Sequence, residues 1–293
     1  MNGYVKNDVD SGQGLDVELA RSEAEFSDII PGAEKKIIWF DTVNTKTLFS
    51  IIYLHGFSAS RQEVSPLTEN LAKKLGANLF LTRLTGHGQT PEAMAGITAE
   101  NLLVDALDAF EIGKKIGERV IVVGMSTGAT LATWLAACHQ SALLAGVVLL
   151  SPNYGLASPK SNLLLKPMAR YWLPLIVGRT YQFEPDNALQ EKFWSWRYPT
   201  VALIPLMALV KRVTDLAFDK LTTPVLVLYS EEDKVVDVPK IRFVYDKIGA
   251  KNKQIHVITG TQGTTHHVLA GDILSPATTK KVESHILSFI ACL

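Results

Sequence analysis

Cysteine is scarce in this chain. Its 293 residues hold two, Cys138 and Cys292, too few for a disulfide framework or for a zinc site built of cysteines. A reduced, cytoplasmic setting is the expectation. The N-terminus lacks the order of a secretory signal, a charged stretch and then an apolar one. No apolar run approaches the roughly 20 residues that a membrane-spanning helix needs. The longest, residues 201–210, carries Pro205 within it, and a buried helix is expected there rather than a lipid-docking patch. Net charge is missing too. The 29 Lys and Arg balance 29 Asp and Glu, dispersed along the chain, so no basic face exists to neutralise phosphates and nucleic acid is not an expected partner.

What is present is apolar substance, 47% of the residues, enough for a sizeable core. Short apolar runs suited to buried strands recur at Ile37–Phe40, Leu48–Leu54, Asn78–Leu81, Val120–Val123, Val147–Leu150, Pro224–Tyr229 and Gln254–Thr259. Between most of them lie segments with helical spacing, such as Val64, Leu67, Leu71, Leu75 and Leu103, Ala106, Leu107, Phe110. This alternation predicts an α/β fold with a mostly parallel sheet covered on both faces, whose ligands gather at the carboxyl ends of the strands. Residues 1–35 show no sustained periodicity and are expected to form a mobile or loosely docked tail. Residues 36–152 and 221–293 form the expected core. Residues 153–220, rich in proline and aromatic side chains, are too long for a plain crossover and are expected to form an inserted lid.

Gly124-Met125-Ser126-Thr127-Gly128 stands between a buried strand and a helical segment running to His139. A G-x-S-x-G in that context forces a sharp turn that lifts the serine hydroxyl out of the sheet, with glycines where a Cβ would collide. A serine needs a base and an orienting acid. One later strand leads into Ser230-Glu231-Glu232-Asp233, and the next into a loop reaching His266-His267. The order Ser, acid, His is the one expected on such a fold.

Leu54-His55-Gly56-Phe57, Gly86-His87-Gly88, the serine turn, the Asp233 loop and His267-Val268-Leu269 together resemble the α/β-hydrolase superfamily. The likeness is in particular to its capped carboxylesterases and monoacylglycerol lipases, across roughly residues 36–293. The resemblance implies Ser126 as nucleophile, Asp233 as acid and His267 as base, with the backbone N–H groups of Phe57 and Thr127 as oxyanion donors. Asp237 is the reserve acid, its other role being to cap the next helix, and His266 is the alternative base, its other role being to line the entrance; His139, His256 and His285 are assigned structural places. His55 and Gly86-His87-Gly88 shape their loops. Met125 and Ala129 depart from the residues often found there, without touching the triad.

The implied reaction is hydrolysis of short- to medium-chain carboxylic esters through an acyl-enzyme, with Phe57, Trp172 and Trp194 as candidate substrate contacts. A monoacylglycerol lipase, a thioesterase or an acyltransferase would use the same triad, and a non-catalytic ligand-binding member of the fold is the rival of another class. The mechanism calls for no cofactor and no metal, the expected partner is a small acyl ester, and stable membrane insertion is not expected.

Overall fold

A computed structural model describes residues 14–293. Seven strands make the main sheet: β1 (Lys36–Ile38), β2 (Thr47–Leu54), β3 (Asn78–Leu81), β4 (Gly117–Met125), β5 (Leu144–Leu150), β8 (Val225–Tyr229) and β9 (Lys253–Val257). Their order is β1-β3-β2-β4-β5-β8-β9. All neighbours run parallel except β1, which pairs antiparallel with β3. The strand runs read from sequence correspond to these seven, with β4 longer at both ends, β5 longer at the amino end, and β1 and β9 each ending two residues earlier.

Strand residues alternate between two core layers, as a period of two requires. Ile52, Leu54, Val120, Val122, Val147, Leu149, Val225 and Val227 face one side. There they meet helices α3 (Ala99–Ile116), α4 (Thr127–Cys138) and α8 (Val238–Lys247). Ile51, Tyr53, Ile121, Val123, Val148, Leu226 and Leu228 face the other, against α2 (Leu67–Leu75) and α9 (Thr279–Ile290). Helix α3 starts on a capping box, Thr98 with Asn101. Among the described residues no helix is long and apolar enough to cross a membrane.

Between β5 and β8 the chain forms α5 (Ala169–Val177), α6 (Ala188–Phe193), α7 (Leu203–Thr214) and a two-stranded antiparallel sheet of β6 (Thr180–Gln182) and β7 (Arg197–Pro199), with α6 between its strands. Helix α7 covers residues 203–210 of the apolar run noted above and buries Leu206, Met207, Leu209 and Val210. Pro205 is tolerated because it lies in the first turn, where the missing N–H has no partner to lose. The small sheet was not expected from sequence, because three-residue strands carry too little periodicity.

The tail expected over residues 1–35 differs in the structure. Residues 1–13 lie outside the described residues, but α1 (Leu15–Glu23) is a helix bound to the core. Arg83 Nε and Nη2 donate to Glu23 Oε2 and Oε1 at 2.7 and 2.8 Å, and Trp39 Nε1 donates to Asp16 at 2.7 Å. What holds α1 is a set of distant polar partners, which local periodicity cannot reveal.

Candidate active site

Four loops at the carboxyl ends of parallel strands converge: residues 55–58 after β2, Ser126 after β4, residues 230–236 after β8 and residues 258–267 after β9. Ser126 has φ 53° and ψ −113° and is 6% exposed. Its N–H donates to Leu150 O at 2.8 Å, and its carbonyl accepts from Thr130 N at 3.0 Å and Asn153 N at 3.2 Å. Both glycines of the turn are sterically required. A Cβ on Gly128 would overlap the Leu54 carbonyl, and one on Gly124 would overlap the Gly128 carbonyl. Ser58, Ser151 and His266 also hold positive φ, at 64°, 42° and 52°, so strained backbone is concentrated here.

Asp233 and His267 are brought together. His267 Nδ1 donates to Asp233 Oδ2 at 2.7 Å, and Asp233 Oδ1 accepts from Val235 N at 2.8 Å and Val236 N at 3.1 Å. Every acceptor site that matters on this buried carboxylate is filled, and the ring tautomer follows: Nδ1 carries the proton and Nε2 offers a lone pair. Ser151, next in the chain to the Leu150 that holds Ser126, donates its hydroxyl to the His267 carbonyl at 2.8 Å. His267 and Ser126 are thus tied to the same strand end, although among the described residues the Ser126 hydroxyl makes no hydrogen bond to His267.

Neither Phe57 N–H nor Thr127 N–H meets an acceptor among the described residues. Two unpaired N–H groups, one of them on the residue that follows the buried Ser126, are free to meet an acceptor on a bound molecule. Behind them, His55 is fully buried. Its Nε2 accepts from Leu84 N at 3.0 Å, so Nδ1 is the protonated nitrogen and donates to Gly56 O at 2.9 Å. Burial first, then the neighbouring His87, lowers the His55 pKa to about 3; burial lowers His87 to about 4. Both rings are neutral structural parts of the loops, and they stand edge to face at 5.2 Å.

The remaining histidines and Asp237 make other contacts. Asp237 caps α8 through Lys240 N, His266 bonds Thr261, His139 lies edge-on to Trp134, and His256 stacks on His285. Of the candidate substrate contacts, Phe57 and Trp172 border one apolar cluster formed by Leu164, Leu173, Leu206, Met207 and Val210. Trp194 does not join it. It is buried in the core on the α2–α9 side of the sheet, while the N–H of its neighbour Ser195 donates to Ser58 O at 2.7 Å. Sequence reasoning missed Tyr198, whose ring meets Phe57 edge to face at 5.6 Å. It also missed Glu63, a carboxylate buried beneath the Gly56 turn, for which no local pattern gave a signal. Among the described residues no group of three or more His, Cys, Asp or Glu could hold a metal ion.

The family described as serine aminopeptidase, S33 matches residues 46–270. A thermostable monoacylglycerol lipase of Bacillus sp. (strain H-257) is 25% identical over 205 residues, covering 70% of this chain and 78% of that protein. Among solved structures, that of one of two metagenome-derived lipolytic enzymes, LipS and LipT, superposes with a TM-score of 0.74 at 21% identity, covering 90% of this chain and 100% of that one. The monoacylglycerol lipase of Paleococcus ferrophilus gives a TM-score of 0.65 at 18% identity, covering 88% and 98%. These structural likenesses establish the α/β-hydrolase fold.

Proposed function

We propose, for a chain that belongs to the serine aminopeptidase S33 family and is a serine hydrolase, that it cleaves uncharged carboxylic esters of short to medium acyl length. The observation that carries this reading is the His267–Asp233 pair at 2.7 Å beside a serine held at positive φ. His267 Nε2 takes the Ser126 proton as Oγ attacks the ester carbonyl. Asp233 steadies the imidazolium, and the N–H groups of Phe57 and Thr127 receive the oxyanion. The alcohol leaves with the proton from His267, and water repeats the sequence to free the acid. The apolar cluster bordered by Phe57 and Trp172 suits an acyl chain and disfavours a charged one.

A second reading, monoacylglycerol hydrolysis, is favoured by helix α5. Leu175 and Ile176 are 82% and 73% exposed, Tyr171 and Val177 join them, and residues 159–183 contain Lys160, Lys166, Arg170 and Arg179 but no acid. An exposed apolar helix in a segment whose only charges are cationic suits a substrate presented at an interface.

The test is turnover of p-nitrophenyl esters from acetate to palmitate and of monoacylglycerols, with Ser126→Ala alongside and amino-acid anilides as the peptidase control. Ester turnover that vanishes in Ser126→Ala supports the assignment. Anilide turnover without ester turnover would overturn it, and a preference for monoacylglycerol over every soluble ester selects the second reading.

A further inference from the structure

Glu63 is a carboxylate that the reaction above does not use. It is 2% exposed, and burial raises its pKa to about 7 against the hydrogen bonds from Gly56 and Tyr53 and the field of His267. Leaving such a group inside a core is costly unless it is well bonded. Its Oε2 accepts two short bonds, from the Gly56 N–H at 2.7 Å and from the Tyr53 hydroxyl at 2.8 Å.

Those bonds bear on the donor loop in a specific way. Gly56 stands between two peptide groups. The one before it presents its N–H to Glu63. The one after it has its carbonyl held by His55 Nδ1 at 2.9 Å and Ala59 N at 3.3 Å, and its N–H is that of Phe57. Because a trans peptide is planar, fixing the Gly56 carbonyl on one side directs the Phe57 N–H to the other. His55 therefore sets one plane and Glu63 the next, and the rotation of Gly56 between them is removed. The carboxylate is packed so closely that a Cβ on Gly56 would lie 2.7 Å from Glu63 Oε1.

Glu63 is also joined to the loop that follows His267. A Cβ on Gly271 would lie 2.9 Å from Glu63 O and 2.8 Å from Val64 Cα, and Asp272 N donates to Ser65 O at 2.9 Å. One short segment, residues 60–65, thus abuts both the donor loop and the histidine loop.

We propose that Glu63 is a positioning residue for acyl transfer, its carboxylate pinning Gly56 so that the Phe57 N–H is aimed at the oxyanion before substrate arrives. This rests on the ester-hydrolase reading. A donor aimed in advance costs no reorganisation at the moment of reaction, and misplacing one by about 1 Å costs on the order of 100-fold in rate.

The experiment compares Glu63→Leu, which removes the acceptor, with Glu63→Gln, whose amide oxygen can still accept from Gly56 and Tyr53. Each is assayed on p-nitrophenyl butyrate, normalised to folded protein by circular dichroism. Expected are a kcat for Glu63→Leu lower by about 30-fold or more with KM within about 3-fold, and recovery to within about 5-fold of wild type in Glu63→Gln. A folded Glu63→Leu with wild-type kcat, or a loss shared equally by Glu63→Gln, overturns the proposal. Glycine-selective 15N labelling supplies a readout that needs no turnover. The Gly56 amide proton should resonate downfield in wild type, as the donor of a short 2.7 Å hydrogen bond does, and move upfield in Glu63→Leu; an unchanged resonance overturns the pinning. Absence of ester turnover in wild type would instead count against the ester-hydrolase reading, leaving the resonance to decide Glu63.

Discussion

Arg83 grips both carboxylate oxygens of Glu23, at 2.7 and 2.8 Å, with the two side chains nearly closed to water. The same guanidinium reaches His87 O at 3.3 Å and Gln89 Oε1 at 3.0 Å, so one side chain binds α1 to the Gly86-His87-Gly88 loop. Removing one partner strands a buried charge. Glu23→Ala should lower unfolding stability by about 3–5 kcal/mol, read as a shift of the urea midpoint, and Glu23→Leu with Arg83→Met should recover part of that. A loss under about 1 kcal/mol in Glu23→Ala would show that α1 is dispensable.

Acid should unfold this protein through its neutral histidines. His55 and His87 titrate near 3 and 4 in the folded chain against the ordinary 6.5. Between those limits the unfolded chain binds more protons, so the stability they contribute is complete above about pH 6.5 and is lost as the pH falls through the folded values. Glu63 and Asp105, raised by burial to about 7 and about 6, work in the opposite direction, contributing stability as the pH falls. A difference measurement separates the two. From pH 7.5 to 4.5 the wild-type Tm should drop several degrees further than that of His87→Gln, reflecting about 2–3 kcal/mol. Parallel drops in the two proteins would contradict a buried neutral His87.

Asp233→Asn should retain the fold, since an amide oxygen can still accept from Val235 N and Val236 N. It should nonetheless reverse the His267 tautomer and lower kcat by roughly 1,000- to 10,000-fold. Stopped-flow or end-point ester assays suffice; a fall of less than tenfold would move the orienting role elsewhere.

Met207 lies in the apolar cluster that Phe57 and Trp172 border. Met207→Trp should shorten the preferred acyl chain, cutting kcat/KM for decanoate at least tenfold while acetate changes by less than about 3-fold. An identical loss along the whole ester series would place acyl binding outside this cluster.

The serine turn is legible in sequence because its demands are local: two glycines, a strand before and a helix after. The sheet is legible for a similar reason, since each strand carries its own apolar run. Helix α1 is not, because Glu23 finds Arg83 only after folding and its own apolar spacing is weak. Glu63 escapes for the same cause. Nothing near it in the chain distinguishes it from a solvated glutamate, and its partners Tyr53 and Gly56 lie seven to ten residues away across a turn. Trp172 and Trp194 read alike in sequence, yet one borders the cluster at Phe57 and the other is buried in the core.

The segment between β5 and β8 opens on one strand and returns on its immediate parallel neighbour, and that pair is registered from Val147 against Val225 to Leu150 against Leu228. The frame that joins the two strands is main-chain bonding, indifferent to what the intervening chain spells. Such an arrangement behaves as a cassette. A lineage, or an engineer, that exchanges this passage keeps the sheet intact, but only a replacement that preserves residues 151–157 and the bond from Ser195 N to Ser58 O also keeps the partners of Ser126, Val235 and His267.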